Sequence, residues 1–416
     1  MTKSKYDKKT GTMILRDPYI FDGGTDFSDV KHVMVRRTVK EIPYRAFEGC
    51  SKLETISLPD SIRTIDSGAF WGCRRLKSIE IPEGVKLIDS SAFYGCESLK
   101  SIKIPASVGC VDYAVFNGCR NLVSIDVDEG NKDYYSEDGV LFSRRGPVLS
   151  TYPPGKAGRY VIPDSVKSIE NFAFIDCVNL TSIKIPDSVT SIGIHAFKRC
   201  RKLKSIRIPA SVAWVDGAFF GCTGLKSIIV DNDNERYYSD DGVLYDSARM
   251  ELNRYPPCKD GDTFRVPSFT DAIGYGAFEG CRKLKSIILP EGVRTIDEEA
   301  FRGCTGLESI VLPYTLVSIG MKAFADCTNL RTVTIPDTVR AIDDGAFEGC
   351  SSLETINIVK NENPNRWDGG FVGIPEDTKA VFDKGCRSLS KYLTKERRVR
   401  GNDCTIYIDA AMRNIP

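Results

Sequence analysis

Cysteine is the residue whose chemistry and spacing in this chain first need an explanation. The 416-residue sequence has 15 cysteines, and eleven of them lie three positions after a repeated phenylalanine, most often at intervals of 23 residues. Thiols can form disulfides, bind zinc or act as nucleophiles, and each of these roles needs particular neighbours. The eleven are Cys50, Cys73, Cys96, Cys119, Cys177, Cys200, Cys222, Cys281, Cys304, Cys327 and Cys350.

The neighbours that metal binding or catalysis would need are not found in the sequence. No pair of cysteines has the spacing of a zinc knuckle, and histidine occurs only at His32 and His195. The segment DNDNERYYSDDG resembles a calcium loop, but Arg236 stands where glycine is required. An active site in an insert would have only paired acids such as Asp240 and Asp241. We therefore expect no metal, no cofactor and no enzymatic activity.

The cysteines close a repeating unit that has the pattern of a β-strand followed by turns. Between them runs Leu-x-x-Ile-x-Ile-Pro, as at Leu99, Ile102, Ile104 and Pro105. The alternation indicates a half-buried strand that the proline ends. The segment before each Ala-Phe has room for about one helical or 3₁₀ turn. One repeat cannot bury its own apolar face, so the repeats must stack with parallel strands about 4.8 Å apart.

Stacking gives the cysteines a structural role. Each repeated phenylalanine would lie on that of the next coil, and each cysteine would fill a small site beneath the cysteine above it. We therefore predict that the eleven cysteines are buried packing residues.

Two similar inserts interrupt the repeats. The interval from Cys119 to Cys177 is 58 residues and that from Cys222 to Cys281 is 59, and the Asp-Gly pairs in the added segments predict β-hairpins. After the last repeat, the sequence suggests a helix and a final strand. The predicted organisation is an N-terminal cap at 1–29, repeats at 30–128, an insert at 129–160, repeats at 161–230, an insert at 231–264, repeats at 265–358 and a C-terminal cap at 359–416.

Composition and charge exclude several classes of protein. Hydrophobic residues make up 42% and charged residues 27%, and a net charge of +1 gives no overall attraction to nucleic acid. No segment approaches the roughly 18 to 20 apolar residues of a membrane span. The absence of a secretory signal and the unpaired thiols favour the cytoplasm. If the N-terminus has been trimmed, a secreted or surface location is expected instead, and Cys386 and Cys404 could then pair.

The repeat resembles the BspA-like leucine-rich repeats, also called the Treponema pallidum type, over roughly residues 30–358. The resemblance is carried by Leu-x-x-Ile-x-Ile-Pro-x-x-Val-x-x-Ile-x-x-x-Ala-Phe-x-x-Cys. It implies an α/β repeat solenoid, a right-handed curved stack with a parallel β-sheet on the concave face, short helical or 3₁₀ turns opposite and two β-hairpin inserts. It also implies an interaction protein, of a family that includes surface adhesins and has no shared catalytic residues.

The middle residue of each strand faces outward and is free to vary, so this row supplies the first candidates for partner binding. Its apolar members would form an adhesive stripe. Two alternatives stay open: β-branched residues suit exposed strands, or the second insert covers them. The candidates in this row are Lys103, Lys184, Arg207, Ile229, Ile288 and Val311.

A second row, at the start of each strand, is often basic and supplies the candidates Lys100, Lys204 and Lys285. A basic rim attracts acidic proteins or sulfated glycans, although lysines at a strand edge also prevent aggregation. We therefore expect a monomeric, non-enzymatic scaffold that binds a protein partner through its concave sheet and basic rim. A glycoconjugate is a second class of partner, nucleic acid is not expected, and the alternative function is a cell-surface or secreted adhesin.

Overall fold

Each repeat forms one coil with a front strand, a turn, a short back strand and a second turn. In one coil the front strand is Ser101–Ile104 and the back strand is Cys110–Val111. Ile102 and Ile104 are buried, whereas Lys103 between them is exposed. The alternation in the sequence is therefore the alternation of the two faces of a strand.

The computed structural model describes residues 5–16, 27–215, 217–359, 370–375, 378–382 and 405–407. The coils fall into two units, Met1–Leu203 and Lys204–Pro416. The first unit contains β1 (Lys5–Asp7), β2 (Thr12–Leu15), β3 (His32–Val35), β4 (Glu41–Ile42), β5 (Thr55–Ser57), β6 (Thr64–Ile65), β7 (Ser78–Ile79), β8 (Leu87–Ile88), β9 (Ser101–Ile104), β10 (Cys110–Val111), β11 (Ser124–Val127), β12 (Tyr134–Glu137), β13 (Val140–Ser143), β14 (Val148–Thr151), β15 (Gly158–Val161), β16 (Ser168–Ile169), β17 (Leu180–Lys184) and β18 (Ser191–Ile192). The second contains β19 (Ser205–Ile208), β20 (Ser227–Val230), β21 (Tyr237–Asp240), β22 (Val243–Asp246), β23 (Glu251–Arg254), β24 (Thr263–Arg265), β25 (Ala272–Ile273), β26 (Ser286–Ile288), β27 (Thr295–Ile296), β28 (Ser309–Val311), β29 (Ser318–Ile319), β30 (Thr332–Ile335), β31 (Ala341–Ile342), β32 (Thr355–Ile358), β33 (Lys379–Phe382) and β34 (Thr405–Tyr407).

Within each unit the coils stack in register, front strand beside front strand and back strand beside back strand. In the first unit β9 and β11 are parallel, with Ile102 opposite Ile125. In the second unit β26, β28 and β30 are parallel in the same way, with Ile287, Ile310 and Val333 in line. The back strands form ladders of their own, such as β6 with β8. The prediction of a parallel leucine-rich-repeat stack is confirmed.

The turns opposite the front strands contain no helix in any described coil, so the predicted helical or 3₁₀ turns, and with them the α/β class, are wrong. Each coil has two residues with positive φ, one before Ala-Phe and one before the cysteine. In one coil these are Ser91 at +56° and Gly95 at +70°. A right-handed helix needs negative φ throughout, so it cannot pass through such a segment. Two-residue back strands and tight turns are found there instead.

The core of each unit is built around stacked phenylalanine rings. Phe47 and Phe70 lie 5.4 Å apart between ring centroids, and Phe70 and Phe93 lie 5.3 Å apart, with the rings nearly parallel. In the second unit Phe301 and Phe324 stack at 4.9 Å. These rings are fully buried. The predicted stacking of equivalent phenylalanines is therefore found in both units.

The repeat cysteines are buried, and their thiols also donate hydrogen bonds. Cys73 Sγ lies 3.1 Å from the carbonyl oxygen of Phe47, and Cys96 Sγ lies 3.3 Å from that of Phe70. In the second unit Cys350 Sγ lies 3.1 Å from the carbonyl oxygen of Phe324. Each thiol therefore links its coil to the backbone of the preceding one, a role beyond the predicted packing.

The first insert adds antiparallel strands to the back ladder and brings a turn to the front strand. β12, β13 and β14 pair antiparallel in that order, and β14 continues parallel to β16. The carbonyl oxygen of Gly139, in the turn between β12 and β13, accepts the Ile125 N–H at 2.8 Å. The hydroxyl of Tyr134 accepts the Val111 N–H at 3.1 Å. The insert thus satisfies strand edges that a regular coil would have paired.

The second insert repeats these contacts. The strands β21, β22 and β23 pair antiparallel, and β23 continues parallel to β25. The carbonyl oxygen of Gly242 accepts the Ile228 N–H at 2.9 Å, and the Tyr237 hydroxyl accepts the Val215 N–H at 3.3 Å. The two inserts are therefore duplicates in their docking as well as in their sequence.

In each unit one front ladder ends in an antiparallel strand. β1 pairs antiparallel with β2, and β34 pairs antiparallel with β33. β34 falls within the segment expected to form a final strand. The helix predicted before it, and Cys386 and Cys404, lie outside the described residues.

The thiol hydrogen bond predicts an order of stability among substitutions at Cys96. Cys96→Ala should lower the free energy of unfolding by about 1 kcal/mol, because a small cavity forms and the Phe70 carbonyl loses a donor. Cys96→Ser should cost less, because its hydroxyl can donate to the same carbonyl. Urea unfolding followed by circular dichroism measures both, with the exposed Cys110→Ser as control. A serine variant less stable than the alanine variant would show that the thiol is only a packing group.

The positive φ positions predict a stabilising glycine. Ala114 has φ of +61° at a position that is glycine in other coils, such as Gly68. Ala114→Gly should raise the free energy of unfolding by up to about 1 kcal/mol, because glycine adopts this conformation without steric cost. The matched control is Ala92→Gly, at a buried site without positive φ, which should be destabilising. If the backbone conformation is decisive, the unfolding temperature should rise for Ala114→Gly and fall for Ala92→Gly. If it is not, the unfolding temperature should fall for both variants.

Candidate interaction surface

The outer row consists of the residue of each front strand that lies between the two inward-facing positions. In the second unit, Arg265, Ile288, Val311, Thr334 and Asn357 lie opposite one another on successive strands. Their spacing is fixed by the backbone ladder, because the side chains project from one face of a parallel sheet. The row is therefore a continuous strip whose chemistry varies from strand to strand.

The apolar candidates of the outer row are exposed. The exposed fraction is 53% for Ile229, 36% for Ile288 and 77% for Val311, so the second insert does not cover them. Ile288 and Val311 lie opposite each other on β26 and β28. Ile229 lies opposite Arg207 on a different pair of strands. The structure thus brings two of the three together, with Arg265 next in line beside Ile288.

Sequence reasoning missed two members of the outer row. Arg265 on β24 and Val161 on β15 follow the inserts, where Leu-x-x-Ile is not recognisable. Val161 is 49% exposed and lies opposite Lys184. The signal that could have found both is the proline that ends each strand, Pro163 or Pro267, counted backwards by two residues.

Two of the basic candidates have an acidic partner nearby. Lys103 Nζ lies 2.8 Å from Asp128, and this hydrogen bond raises the lysine pKa and lowers that of the carboxyl group. Arg207 forms the equivalent ion pair with Asp231. Asp231 belongs to the segment that resembles a calcium loop, so its carboxylate already binds a cationic side chain. These two positions carry less free charge than the sequence suggests.

The basic rim is partly neutralised by ion pairs between neighbouring coils. Lys77 lies 2.6 Å from Glu54, and Arg331 lies 3.3 Å from Glu354, each partner being 23 residues away. Such exposed pairs contribute little to stability. Four other candidates are exposed and have no ion pair with any described residue, namely Lys100, Lys184, Lys204 and Lys285.

The repeat thiols are poorly suited to nucleophilic chemistry. Burial raises the pKa of Cys119 to about 12 and that of Cys73 and Cys96 well above the ordinary value. Because the thiolate is the reactive form, buried thiols of this kind are inert. Cys110, outside the repeat pattern, is the exposed cysteine in the described ranges.

The histidines and the paired acids do not form a site. His32 Nδ1 lies 2.8 Å from the Thr55 hydroxyl, whereas burial, with Lys198 and Arg199 nearby, lowers the pKa of His195 to about 4. Asp241 forms an ion pair with Lys259 at 2.7 Å. Over the described part of the chain, no cluster of three or more His, Cys, Asp or Glu side chains could hold a metal.

The described residues also contain no helix with the length and apolar character needed to cross a membrane.

The repeated front strand, back strand and buried Phe-Cys turn define a leucine-rich-repeat scaffold. The family model of the BspA type leucine-rich repeat region matches this chain in six copies, over residues 19–137, 156–247 and 255–365. The chain therefore belongs to the BspA-type leucine-rich repeat family. Proteins of this type are generally interaction or surface proteins, and the fold is typically a non-enzymatic scaffold.

Solved structures of bacterial leucine-rich repeat proteins are similar to this chain. A leucine rich cell surface protein from Faecalibacterium prausnitzii is 25% identical with a TM-score of 0.55, over 95% of this chain and 96% of that one. A leucine-rich repeat protein from Eubacterium ventriosum is 24% identical with a TM-score of 0.53, over 84% of this chain and 92% of that one. Among curated proteins, no significant match is found.

Proposed function

We propose that this chain binds a protein partner through the outer row of its second unit, with Ile288 and Val311 at the centre of the contact. The observation that carries the proposal is the exposure of Val311, 77%, directly opposite a second exposed aliphatic residue on the neighbouring strand. Aliphatic side chains fixed on adjacent strands lose little conformational entropy on binding. Adjacent apolar residues within a polar surface are typical of the core of an interface.

Cationic side chains support binding to an acidic surface. In the second unit, Lys204 and Lys285 are exposed without an ion pair among the described residues, and Arg265 adjoins Ile288. In the first unit, Lys100 and Lys184 are likewise exposed and have no ion pair with a described residue. Unpaired rim charges raise the rate of association with an acidic partner more than the final affinity. Lys103 and Arg207 contribute less, because each already has a carboxylate partner.

A test uses the outer row itself as its control. A photoreactive amino acid at Val311 captures the partner, and calorimetry then measures its affinity for variants of the chain. Ile288→Asp and Val311→Asp should each weaken binding about tenfold or more, because a carboxylate would be desolvated in an apolar contact. Thr334→Asp, on the next strand of the same row, should change affinity much less. Equal losses at Val311 and Thr334, with unchanged circular dichroism, would contradict an apolar centre.

A second candidate function, that of a surface adhesin, is supported by the similarity to a leucine rich cell surface protein from Faecalibacterium prausnitzii. In that case the same outer row would bind a host or matrix protein. We expect antibodies raised against the purified chain to label intact cells of the source organism, and external protease to remove that labelling. Signal only after cell lysis, with a cytoplasmic enzyme as marker, would reject this alternative and leave the binding proposal in place.

A further inference from the structure

The strand β24 has one edge without a strand beside it. It pairs in parallel with β26 on one side, and it is the first strand of its sheet. The Val266 N–H donates to the Ile288 carbonyl at 3.0 Å, so the backbone groups of Val266 and of Phe264, two residues earlier, point towards β26. Because successive residues of a strand point their backbone groups to opposite sides, Thr263 and Arg265 point theirs to the other edge. No described residue accepts a hydrogen bond from either N–H group.

The second insert closes the edge of the preceding front strand but not that of β24. The Ile228 N–H donates to the Gly242 carbonyl at 2.9 Å, and the Val230 N–H donates to the Ser239 hydroxyl at 3.0 Å. Both donors belong to β20. The insert therefore takes the place of a paired strand beside β20, whereas no described strand pairs with the facing edge of β24.

The side chains of β24 are less buried than those of the strands that follow it in the same sheet. Phe264 faces inward, in line with Ile287 and Ile310, which are 2% and 5% exposed. Phe264 is nevertheless only half-buried, and its neighbours in sequence are exposed. In the first unit Tyr160, on the corresponding strand β15, is buried at 8% exposure. The inward aromatic side chain is therefore less completely buried on β24 than on β15.

The charge around this edge favours an acidic ligand. Arg265 on β24, Lys226 before β20 and Lys285 before β26 are exposed, and none forms an ion pair with a described residue. The nearest carboxylate along the chain is that of Asp262, within reach of the Thr263 hydroxyl at 3.4 Å. A second carboxylate, that of Asp260, is already paired with Lys283 at 3.1 Å and also interacts with Lys226. The cations therefore still outnumber the carboxylates around the free N–H groups.

We propose that β24 accepts an extended segment of the partner protein as an added β-strand. The segment would bond to the backbone of Thr263 and Arg265, place a carboxylate next to Arg265 and place an aliphatic side chain against Phe264. Unpaired strand edges are templates for such pairing, and the backbone bonds supply affinity while alternate side chains supply specificity. This inference rests on the proposed function, because it specifies the form in which the partner meets the same sheet.

The probe is a capped seven-residue peptide of alternating glutamate and valine, titrated into the full chain. It should bind and slow amide hydrogen exchange in the segment 262–266. The same peptide N-methylated at every second residue keeps its side chains but loses the donors on one edge, and it should bind about tenfold more weakly or worse. Equal binding of the two peptides, or no binding at millimolar concentration, would overturn the added strand.

Two variants at Thr263 test the site itself. Thr263→Pro removes the outward N–H without removing a bond to β26 and should abolish peptide binding. Thr263→Ala keeps that N–H and should bind as the wild type does. Hydrogen exchange in β26 reports whether the proline variant keeps its fold.

Val311→Asp separates the two proposals. The substitution lies two strands from β24, so it should leave peptide binding unchanged while weakening the captured partner. Partner binding that depends on Val311 without any peptide binding would reject the added strand and keep the proposed function. If the peptide binds and Val311→Asp leaves the affinity for the partner unchanged, the added strand is kept and the proposed contact at Val311 is rejected.

Discussion

The carbonyl group of the repeat phenylalanine is the point on which the stacking of the coils depends. The carbonyl oxygen of Phe70 accepts the Cys73 N–H within its own coil at 3.1 Å and the Cys96 thiol of the next coil at 3.3 Å. One acceptor thus closes a turn and joins two coils. The residue at the cysteine position must be small, able to donate and tolerant of burial, and few side chains meet all three conditions.

The repeat itself could be predicted from the sequence because each coil buries the same residue types at the same positions. The alternation at Ile102 and Ile104, the proline stop and the Phe-Cys spacing all follow from that constraint. The turns could not be predicted in the same way, because residues such as Ser91, Ala114 and Phe172 carry no sign of positive φ. Their conformation is imposed by the coils on either side. The hydrogen bond of the thiol could not be predicted either, because a buried cysteine that donates and one that only packs leave the same pattern in the sequence.

The membership of the outer row was predicted less completely, since outward residues are not constrained by the stack. Ile288 and Val311 were identified because the strand motif indicates which position faces outward. Arg265 was missed because the Leu-x-x-Ile part of the motif is not recognisable after the insert. Charge was misjudged for a different reason: Lys103 and Arg207 look free in the sequence, but their carboxylate partners, Asp128 and Asp231, lie on the next coil, 25 and 24 residues further along the chain. A row of lysines and arginines therefore carries less unpaired positive charge than the number of its basic residues suggests.

The inserts dock mainly on backbone groups, and this makes them transferable. Asn131 donates to the carbonyl oxygens of Pro105 and Val108, both at 2.9 Å, and Asn234 bonds in the same way to Pro209 and Val212. Most regular coils offer the carbonyl groups of a proline and of the aliphatic residue three positions later. An insert can therefore move from one coil to another during evolution without compensating changes in its host. Such a chain can acquire new inserts by recombination and keep the same core.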